Sequence, residues 1–180
     1  AIKYARHHVG NEPFAVLLGD NIIETDSDTP VTKKLIELFE RYGEPIVALE
    51  KVPKEKVSRY GVMKGKEIDP TVYLVEDFIE KPSIKEAPSD LVIASRYILT
   101  PEIFTYLDIV ERGKNNEIQL TDAMRLMLKK RAMYGHCFDG KRHDVGNKLD
   151  YLKTNIIYGL KRDDLREELT AFIKEISQKI

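Results

Sequence analysis

The feature that most constrains the fold is a strand–helix–strand pattern between residues 14 and 52. A continuous apolar run, Phe14 to Leu18, precedes the amphipathic helix pattern VTKKLIELFERYG and the second apolar run PIVALEKV. Uninterrupted apolar strands separated by a helix are typical of a βαβ unit, because helices cover both faces of a parallel sheet. The pattern therefore predicts an α/β fold with a largely parallel sheet.

Further strands are predicted downstream of this unit. The stretch YGVMKGKEIDPTVYLVEDFIEKP has two strand-like pieces around a turn at Ile68-Asp69-Pro70, which indicates a hairpin-like insertion beside the main sheet. SDLVIASRYILT predicts another strand, and MYGHCFDGKRHDVG is predicted to be extended and to end in a polar turn.

Several helices are also predicted. Pro101 opens one, Asn115 or Asn116 is the predicted cap of the helix EIQLTDAMRLMLKKR, and two amphipathic helices are predicted over about residues 148–180. Their apolar stripes need a surface to cover, either on the domain or on another subunit. Because no linker or repeat divides the chain, we expect a single domain over residues 1–180.

The composition excludes several functional classes. Lysine and arginine number 29 against 30 acidic residues, so no general attraction to nucleic acid or to an anionic membrane is expected. The single cysteine, Cys137, excludes an internal disulfide and a cysteine-rich zinc site. No apolar run is long enough to cross a bilayer, and the first residues lack the apolar core of a secretory signal. We therefore expect a cytoplasmic protein.

Gly19 and Asp20 interrupt the first apolar strand at its carboxyl end, where ligand clefts form in open α/β sheets. A carboxylate at that position can hold Mg²⁺ together with substrate phosphates, and a glycine lets a phosphate approach the backbone. Asp144, in GKRHDVG, stands in the same arrangement and could share the metal. A simple turn explains Gly19-Asp20 equally well, and a solvated turn is the simpler interpretation of Asp144.

Glu80, Lys81 and Pro82 also follow a predicted strand. Lys81 could bind a phosphate as a point charge, although Glu-Lys pairs are common on protein surfaces. Gly61, in YGV, is costly within a strand unless another group must approach the backbone, and either a ligand or a bulge would meet that condition.

Other motifs are weaker. Asp26 and Asp28 match the Asp-x-Asp pattern of metal-dependent glycosyltransferases, but helix capping explains them better. The four histidines lack zinc-ligand spacing, and Cys137 is interpreted as a small core residue. No nucleophile elbow, Walker loop or Rossmann glycine loop is present.

Six motifs in order give the sequence a family resemblance. They are FAVLLGD, YGV, FIEKP, ASRYILTPEIF, EIQLTDA and the HDVG to KLDYLKTN segment. Together they resemble the bacterial UTP:glucose-1-phosphate uridylyltransferases, which are sugar-nucleotide pyrophosphorylases, over nearly all 180 residues. The resemblance implies a Rossmann-like nucleotidyltransferase sheet, mixed but mostly parallel, with flanking helices. It also implies attack of glucose 1-phosphate on the α-phosphorus of UTP, which forms UDP-glucose and releases pyrophosphate.

The resemblance also implies roles for individual residues. Asp20 and Asp144 would hold Mg²⁺, Lys81 would hold the sugar phosphate, Glu80 would bind sugar hydroxyls, and Gly61 would present its backbone to the sugar. Such catalysis consists of positioning and charge neutralisation, so it needs no general base.

The sequence departs from the family pattern in three places. His143 and Val145 flank Asp144 where an aromatic and a small residue are frequent, and Asn115-Asn116 replaces glycines. The glycine-rich loop of the family, with its catalytic arginine and lysine, would precede Ala1. We therefore expect the carboxyl-terminal part of a longer enzyme, truncated at the N-terminus and inert by itself, with exposed sheet edges that favour homo-oligomers.

Three alternatives remain open from the sequence. The first is another sugar-1-phosphate nucleotidylyltransferase, for example one that uses dTTP. The second is a non-catalytic, truncated paralogue that acts as a binding or regulatory subunit. The third is a glycosyltransferase that uses Asp26 and Asp28.

Overall fold

The computed structural model describes residues 1–113 and 116–179. The chain divides into two compact units. The first unit comprises residues 1–18 and 25–141, and the second comprises residues 19–24 with the chain from Arg142 onward.

The strands of the described residues are β1 (Phe14–Leu17), β2 (Asn21–Glu24), β3 (Ile46–Lys51), β4 (Gly61–Asp69), β5 (Val72–Glu80), β6 (Leu91–Leu99), β7 (Tyr134–Cys137) and β8 (Lys141–Asp144). The α-helices are α1 (Arg6–Val9), α2 (Val31–Tyr42), α3 (Ile103–Ile109), α4 (Leu120–Met127), α5 (Lys148–Lys161) and α6 (Arg166–Ser177). Two short 3₁₀ segments, Ile2–Ala5 and Lys54–Arg59, complete the described elements.

The first unit is built on a six-stranded sheet with the order β1-β6-β3-β7-β5-β4. The predicted α/β class is confirmed, but the expectation of a mostly parallel sheet is wrong. Among the pairings within this sheet, β3–β7 is parallel, whereas β1–β6, β3–β6, β4–β5, β4–β6 and β5–β7 are antiparallel. The almost fully buried strand β6 lies between β1 and β3 and runs antiparallel to both. An apolar run shows that a strand is buried, but it does not show the direction of its neighbours.

The predicted helix between the apolar strands β1 and β3 is present as α2, which follows β2 along the chain. It buries Leu35 and Leu38 and ends at Gly43, whose left-handed backbone (φ 68°) accommodates the turn without a Cβ clash. The predicted capping by Asp26 or Asp28 is wrong. The residue at the N-cap position is Pro30, whose side chain has no hydrogen-bond acceptor, and no side chain caps this end.

The predicted hairpin is present as β4 and β5. The turn between them passes through Thr71, which has a positive φ of 65°. The hairpin is not an insertion beside the sheet, because β5 pairs with β7 and β4 forms the end of the sheet order. This integration places Glu80, the last residue of β5, in the main sheet of the first unit.

Helix α4 buries Ala123, Met124 and Met127 in the main apolar core. It begins at Leu120 with Gln119 at the N-cap position, so the predicted cap at Asn116 is wrong. The alternative cap, Asn115, lies outside the described residues.

The second unit contains the strand pair β2–β8 and the two predicted carboxyl-terminal helices. Asn147 caps α5 by accepting from the backbone N–H groups of Leu149 (3.0 Å) and Asp150 (3.2 Å). Much of the predicted apolar stripe is exposed in this structure, including Leu149, Leu152, Ile156, Leu165, Phe172 and Ile176. No helix among residues 1–113 and 116–179 is long and apolar enough to cross a bilayer.

Candidate functional site

Asp20 and Asp144 come together in the second unit. Asp20 immediately precedes β2 and Asp144 ends β8, so the pairing of these strands brings residues 124 positions apart into one turn region. The main chains are joined directly, because the N–H of Val145 donates to the carbonyl oxygen of Asp20 at 2.9 Å. The side chain of Asn21 also donates to Asp20 Oδ1 at 2.7 Å.

Gly146 shows how close the two carboxylates are. A Cβ atom at this glycine would lie 3.3 Å from Asp20 Oδ2 and 3.3 Å from Asp144 Oδ1. The two oxygens are therefore no further apart than twice that distance. The missing side chain leaves space beside both oxygens, and any larger residue would occupy it.

Side-chain contacts of Glu24 link β2 to β8 and to α5 near these aspartates. Glu24, at the end of β2, accepts from Lys161 and lies 3.1 Å from Nε2 of the buried His143 on β8. The hydrogen bond from Lys161, followed by that from His143, holds the pKa of the Glu24 carboxyl below its usual value. His143 therefore links β8 to β2.

The donor set fits a divalent cation that prefers hard oxygen ligands. Two carboxylate oxygens beside an open glycine match the way Mg²⁺ is commonly held, through one or two carboxylates with its remaining positions left to water and phosphate. Among residues 1–113 and 116–179, no group of three or more histidine, cysteine or acidic side chains forms a metal cluster. Two carboxylates would leave most of the coordination positions of such a cation to other ligands.

Gly61, Glu80 and Lys81 come together in the first unit. Gly61, the first residue of β4, is the register partner of Glu80 on β5. Glu80 Oε2 accepts a 2.7 Å hydrogen bond from the hydroxyl of Thr121 on α4. A Cβ at Gly61 would lie 3.1 Å from Glu80 Oε2 and 3.3 Å from Thr121 Oγ1, so the glycine allows this pair to lie against the β4 backbone.

Lys81 turns away from the end of β5 with an unusual backbone conformation. Its φ is 46°, a left-handed value that is uncommon for a residue with a side chain, and its N–H donates to the carbonyl oxygen of Tyr60 at 3.0 Å. Its ammonium lies 3.8 Å from Glu80 Oε1 and is half-exposed, at the side of an open cleft that Ser58, Pro82 and Ser83 also line. A substrate phosphate in this cleft would meet a cation and a carboxylate side by side.

The structure thus brings the predicted residues together in two groups. The second unit contains Gly19, Asp20 and Asp144. The first unit contains Gly61, Glu80 and Lys81. A Cβ at Gly19 would meet nothing within 4 Å, so this backbone is open to approach. Asp26 and Asp28 lie outside the second unit, in a loop of the first.

Sequence reasoning did not identify two residues in these groups. Thr121 lies in the motif EIQLTDA, but only the packing of α4 shows that its hydroxyl meets Glu80. Gly146 follows Asp144 by two residues, and the glycine in HDVG was a signal that could have identified it.

Comparison with known sequences identifies a family model and several relatives that match this chain. The sequence model of the nucleotidyl transferase family matches residues 1–159. A UTP–glucose-1-phosphate uridylyltransferase of Staphylococcus epidermidis is 47% identical over 176 residues, which cover 98% of this chain and 60% of that protein. A protein of the same name from Staphylococcus haemolyticus is 48% identical, with the same coverage of both chains. The chain therefore spans about 60% of the length of these curated relatives.

A solved structure also matches closely. A UDP-glucose pyrophosphorylase complexed with UDP-glucose superposes with a TM-score of 0.85 and 42% sequence identity. The match covers 89% of this chain and 61% of that protein. Over this part of the chain, the fold is therefore a known type of α/β structure.

Proposed function

Because the chain belongs to the nucleotidyl transferase family, we propose that it forms the sugar-phosphate and metal-binding part of a UTP:glucose-1-phosphate uridylyltransferase. The reaction joins glucose 1-phosphate to the α-phosphorus of UTP, and the products are UDP-glucose and pyrophosphate. Relatives with this name are 47–48% identical to almost the whole chain, which favours these substrates over a dTTP-dependent reaction.

The observation that carries the proposal is the convergence of Asp20 and Asp144 beside Gly146. Neither residue is part of a local motif with the other, so only the pairing of β2 with β8 explains their approach. Two carboxylates beside a side-chain-free position suit a reaction in which a cation meets phosphate oxygens. This convergence involves neither Asp26 nor Asp28, so it gives no support to the glycosyltransferase alternative.

In this proposal, Asp20 and Asp144 would hold Mg²⁺, which when bound neutralises negative charge on the phosphates. The aspartates bind and orient, and the Val145–Asp20 backbone hydrogen bond keeps their main chains aligned. The open backbone at Gly19 gives a nucleotide phosphate room to approach. Because the chemistry needs alignment and charge compensation, these fixed positions are the main contribution of the second unit.

The first unit would bind the nucleophile, glucose 1-phosphate. Lys81 supplies a positive charge for the phosphate, and Glu80 accepts hydrogen bonds from hydroxyls of the glucose ring. The N–H of Gly61 would be a further contact to the sugar. Because Lys81 and Glu80 are adjacent, a single ligand with both a phosphate and a hydroxyl group satisfies them better than inorganic phosphate alone.

The proposed function also leads to proposals about the domain, the location and the assembly of the protein. We infer a single nucleotidyltransferase domain, cytoplasmic location and assembly into homo-oligomers. Exposed apolar residues on α5 and α6, such as Leu152 and Phe172, support an oligomer because large apolar side chains gain free energy when a partner covers them.

Pyrophosphate release tests the proposed reaction. The 180-residue chain and the complete product of its gene are assayed with Mg²⁺ and glucose 1-phosphate, with either UTP or dTTP as the second substrate. We expect the complete product to release pyrophosphate faster from UTP than from dTTP. Faster release from dTTP would show that the nucleotide substrate is dTTP and not UTP. If the complete product releases no pyrophosphate, the alternative of a non-catalytic binding subunit is favoured.

A further inference from the structure

The hydrogen bond between Thr121 and Glu80 is partly buried and well formed. The Thr121 hydroxyl donates to Glu80 Oε2 at 2.7 Å, Thr121 is 8% exposed, and the Glu80 side chain is 18% exposed. A hydrogen bond to a carboxylate in partial burial is stronger than one in water, because less solvent competes for the acceptor. It therefore restricts the rotamers that Glu80 can adopt.

The hydroxyl of Thr121 is itself held in place by a docked helix. Ala123, Met124 and Met127 anchor α4 in the main core. One turn beyond Thr121, Arg125 makes a two-pronged contact to Asp77 on β5, with distances of 2.7 and 2.9 Å. Helix α4 is thus fixed to the same strand that ends in Glu80, which makes Thr121 a rigid support.

Gly61 provides the space for this pair. A Cβ there would come within 3.1 Å of Glu80 Oε2 and 3.3 Å of Thr121 Oγ1, and 3.1 Å of Ile93 Cδ1 as well. The carboxylate therefore rests between the β4 backbone on one side and the start of α4 on the other. This enclosure leaves Oε1, which lies 3.8 Å from the Lys81 ammonium, as the more available oxygen.

We propose that Thr121 is a positioning residue for sugar recognition, because its hydroxyl holds Glu80 in the orientation that accepts hydrogen bonds from the sugar of a bound sugar 1-phosphate. The inference rests on the proposed function, in which Glu80 binds the sugar and Lys81 binds the phosphate. Thr121 occupies one acceptor position on Oε2, and the remaining acceptor positions of the carboxylate stay available for ring hydroxyls. Thr121 itself does not need to touch the ligand.

The test compares the binding of glucose 1-phosphate with that of inorganic phosphate. Calorimetric titrations use the full 180-residue chain as wild type, Thr121→Val and Thr121→Ser. Valine keeps the shape of threonine without the hydroxyl, and serine keeps the hydroxyl. We expect Thr121→Val to bind glucose 1-phosphate about tenfold more weakly, with inorganic phosphate unchanged, and Thr121→Ser to recover near wild-type affinity.

The matched control is Thr105→Val, which removes an exposed hydroxyl from α3 in the same unit. Equal weakening of both ligands in Thr121→Val, or no recovery in Thr121→Ser, would overturn the inference in favour of a purely structural role. Wild-type-like binding by Thr121→Val would overturn it while leaving the proposed function intact. If the wild-type chain itself fails to bind glucose 1-phosphate, the proposed function fails and the inference fails with it.

Discussion

The backbone N–H of Val145 donates a 2.9 Å hydrogen bond to the backbone carbonyl of Asp20. This bond joins the residue after β8 to the residue before β2, so it lies next to Asp144 and at Asp20, the two convergent aspartates. The arrangement depends on main-chain pairing, so side-chain substitutions of the aspartates should leave the turn in place. The candidate metal site can therefore be tested by substituting its carboxylates one at a time.

Loss of either carboxylate is expected to weaken metal binding. Asp20→Asn and Asp144→Asn each replace a charged oxygen ligand with a neutral amide of the same shape, so the affinity for Mg²⁺ or its substitute Mn²⁺ should fall more than about tenfold. Calorimetric titration of the chain with Mn²⁺ measures this effect. Asp26→Asn is the control, and an equal loss in that variant would move the metal site to the Asp26–Asp28 loop.

A methyl group at residue 146 is expected to interfere with the same site. In Gly146→Ala the new Cβ would lie 3.3 Å from both carboxylate oxygens, which is closer than most Cβ contacts in proteins. We expect weaker Mn²⁺ binding with only a small change in the thermal midpoint of the metal-free chain, because the neighbours are side-chain atoms at the surface. Unchanged Mn²⁺ affinity would show that the space beside Gly146 is not used by the ion.

Replacing Lys81 with glycine is expected to stabilise the fold and to weaken the binding of glucose 1-phosphate. Its φ of 46° strains a residue with a side chain, so Lys81→Gly should raise the free energy of unfolding by about 0.5–1 kcal/mol in urea titrations. The same variant should lose measurable binding of glucose 1-phosphate, because the positive charge is absent.

Ser95→Gly provides the matched control for this variant. Ser95 also has a positive φ, of 58°, but it lies within β6 and has no role in the proposed site. It should gain similar stability with unchanged glucose 1-phosphate affinity. Retained binding in Lys81→Gly would remove the phosphate role from Lys81.

The stability of the chain should fall in mild acid because of His136. Burial lowers the pKa of this imidazole below its usual value of 6.5, since the charged form loses hydration in the sheet. The unfolded state then binds the proton more readily, so stability is lost as the pH falls from about 6.5 towards the folded pKa. Thermal midpoints from pH 8 to pH 5 should drop less in His136→Gln than in wild type. The exposed His7→Gln should follow wild type, and identical profiles for all three chains would contradict the prediction.

Much of the local structure could be predicted from sequence because local chemistry determines it. The helix from Val31 to Tyr42 ends where Gly43 permits a left-handed backbone, and the hairpin turns at Asp69–Thr71. Strand direction could not be predicted in this way. The antiparallel placement of β6 between β1 and β3 arises from packing of strands far apart in the chain, which an apolar run does not encode.

The site was partly predictable for the same reason. Glu80 and Asp144 are the last residues of their strands, Lys81 follows β5, and Asp20 lies between β1 and β2. Strand ends were the positions at which the sequence predicted a site. Thr121 lies in a helix with buried neighbours, and nothing local distinguishes it from a core threonine. Its relation to Glu80 depends on how α4 packs on β5, which only the three-dimensional structure reveals.

The most direct test of the account is an NMR titration of the 180-residue chain with glucose 1-phosphate. We expect saturable amide shifts centred on Gly61, Glu80, Lys81 and Thr121. We also expect Lys81→Ala to abolish these shifts while the rest of its spectrum remains that of a folded chain. A folded chain that shows no saturable shifts, or shows them at residues away from the end of β5, would contradict the assignment of a sugar-phosphate site.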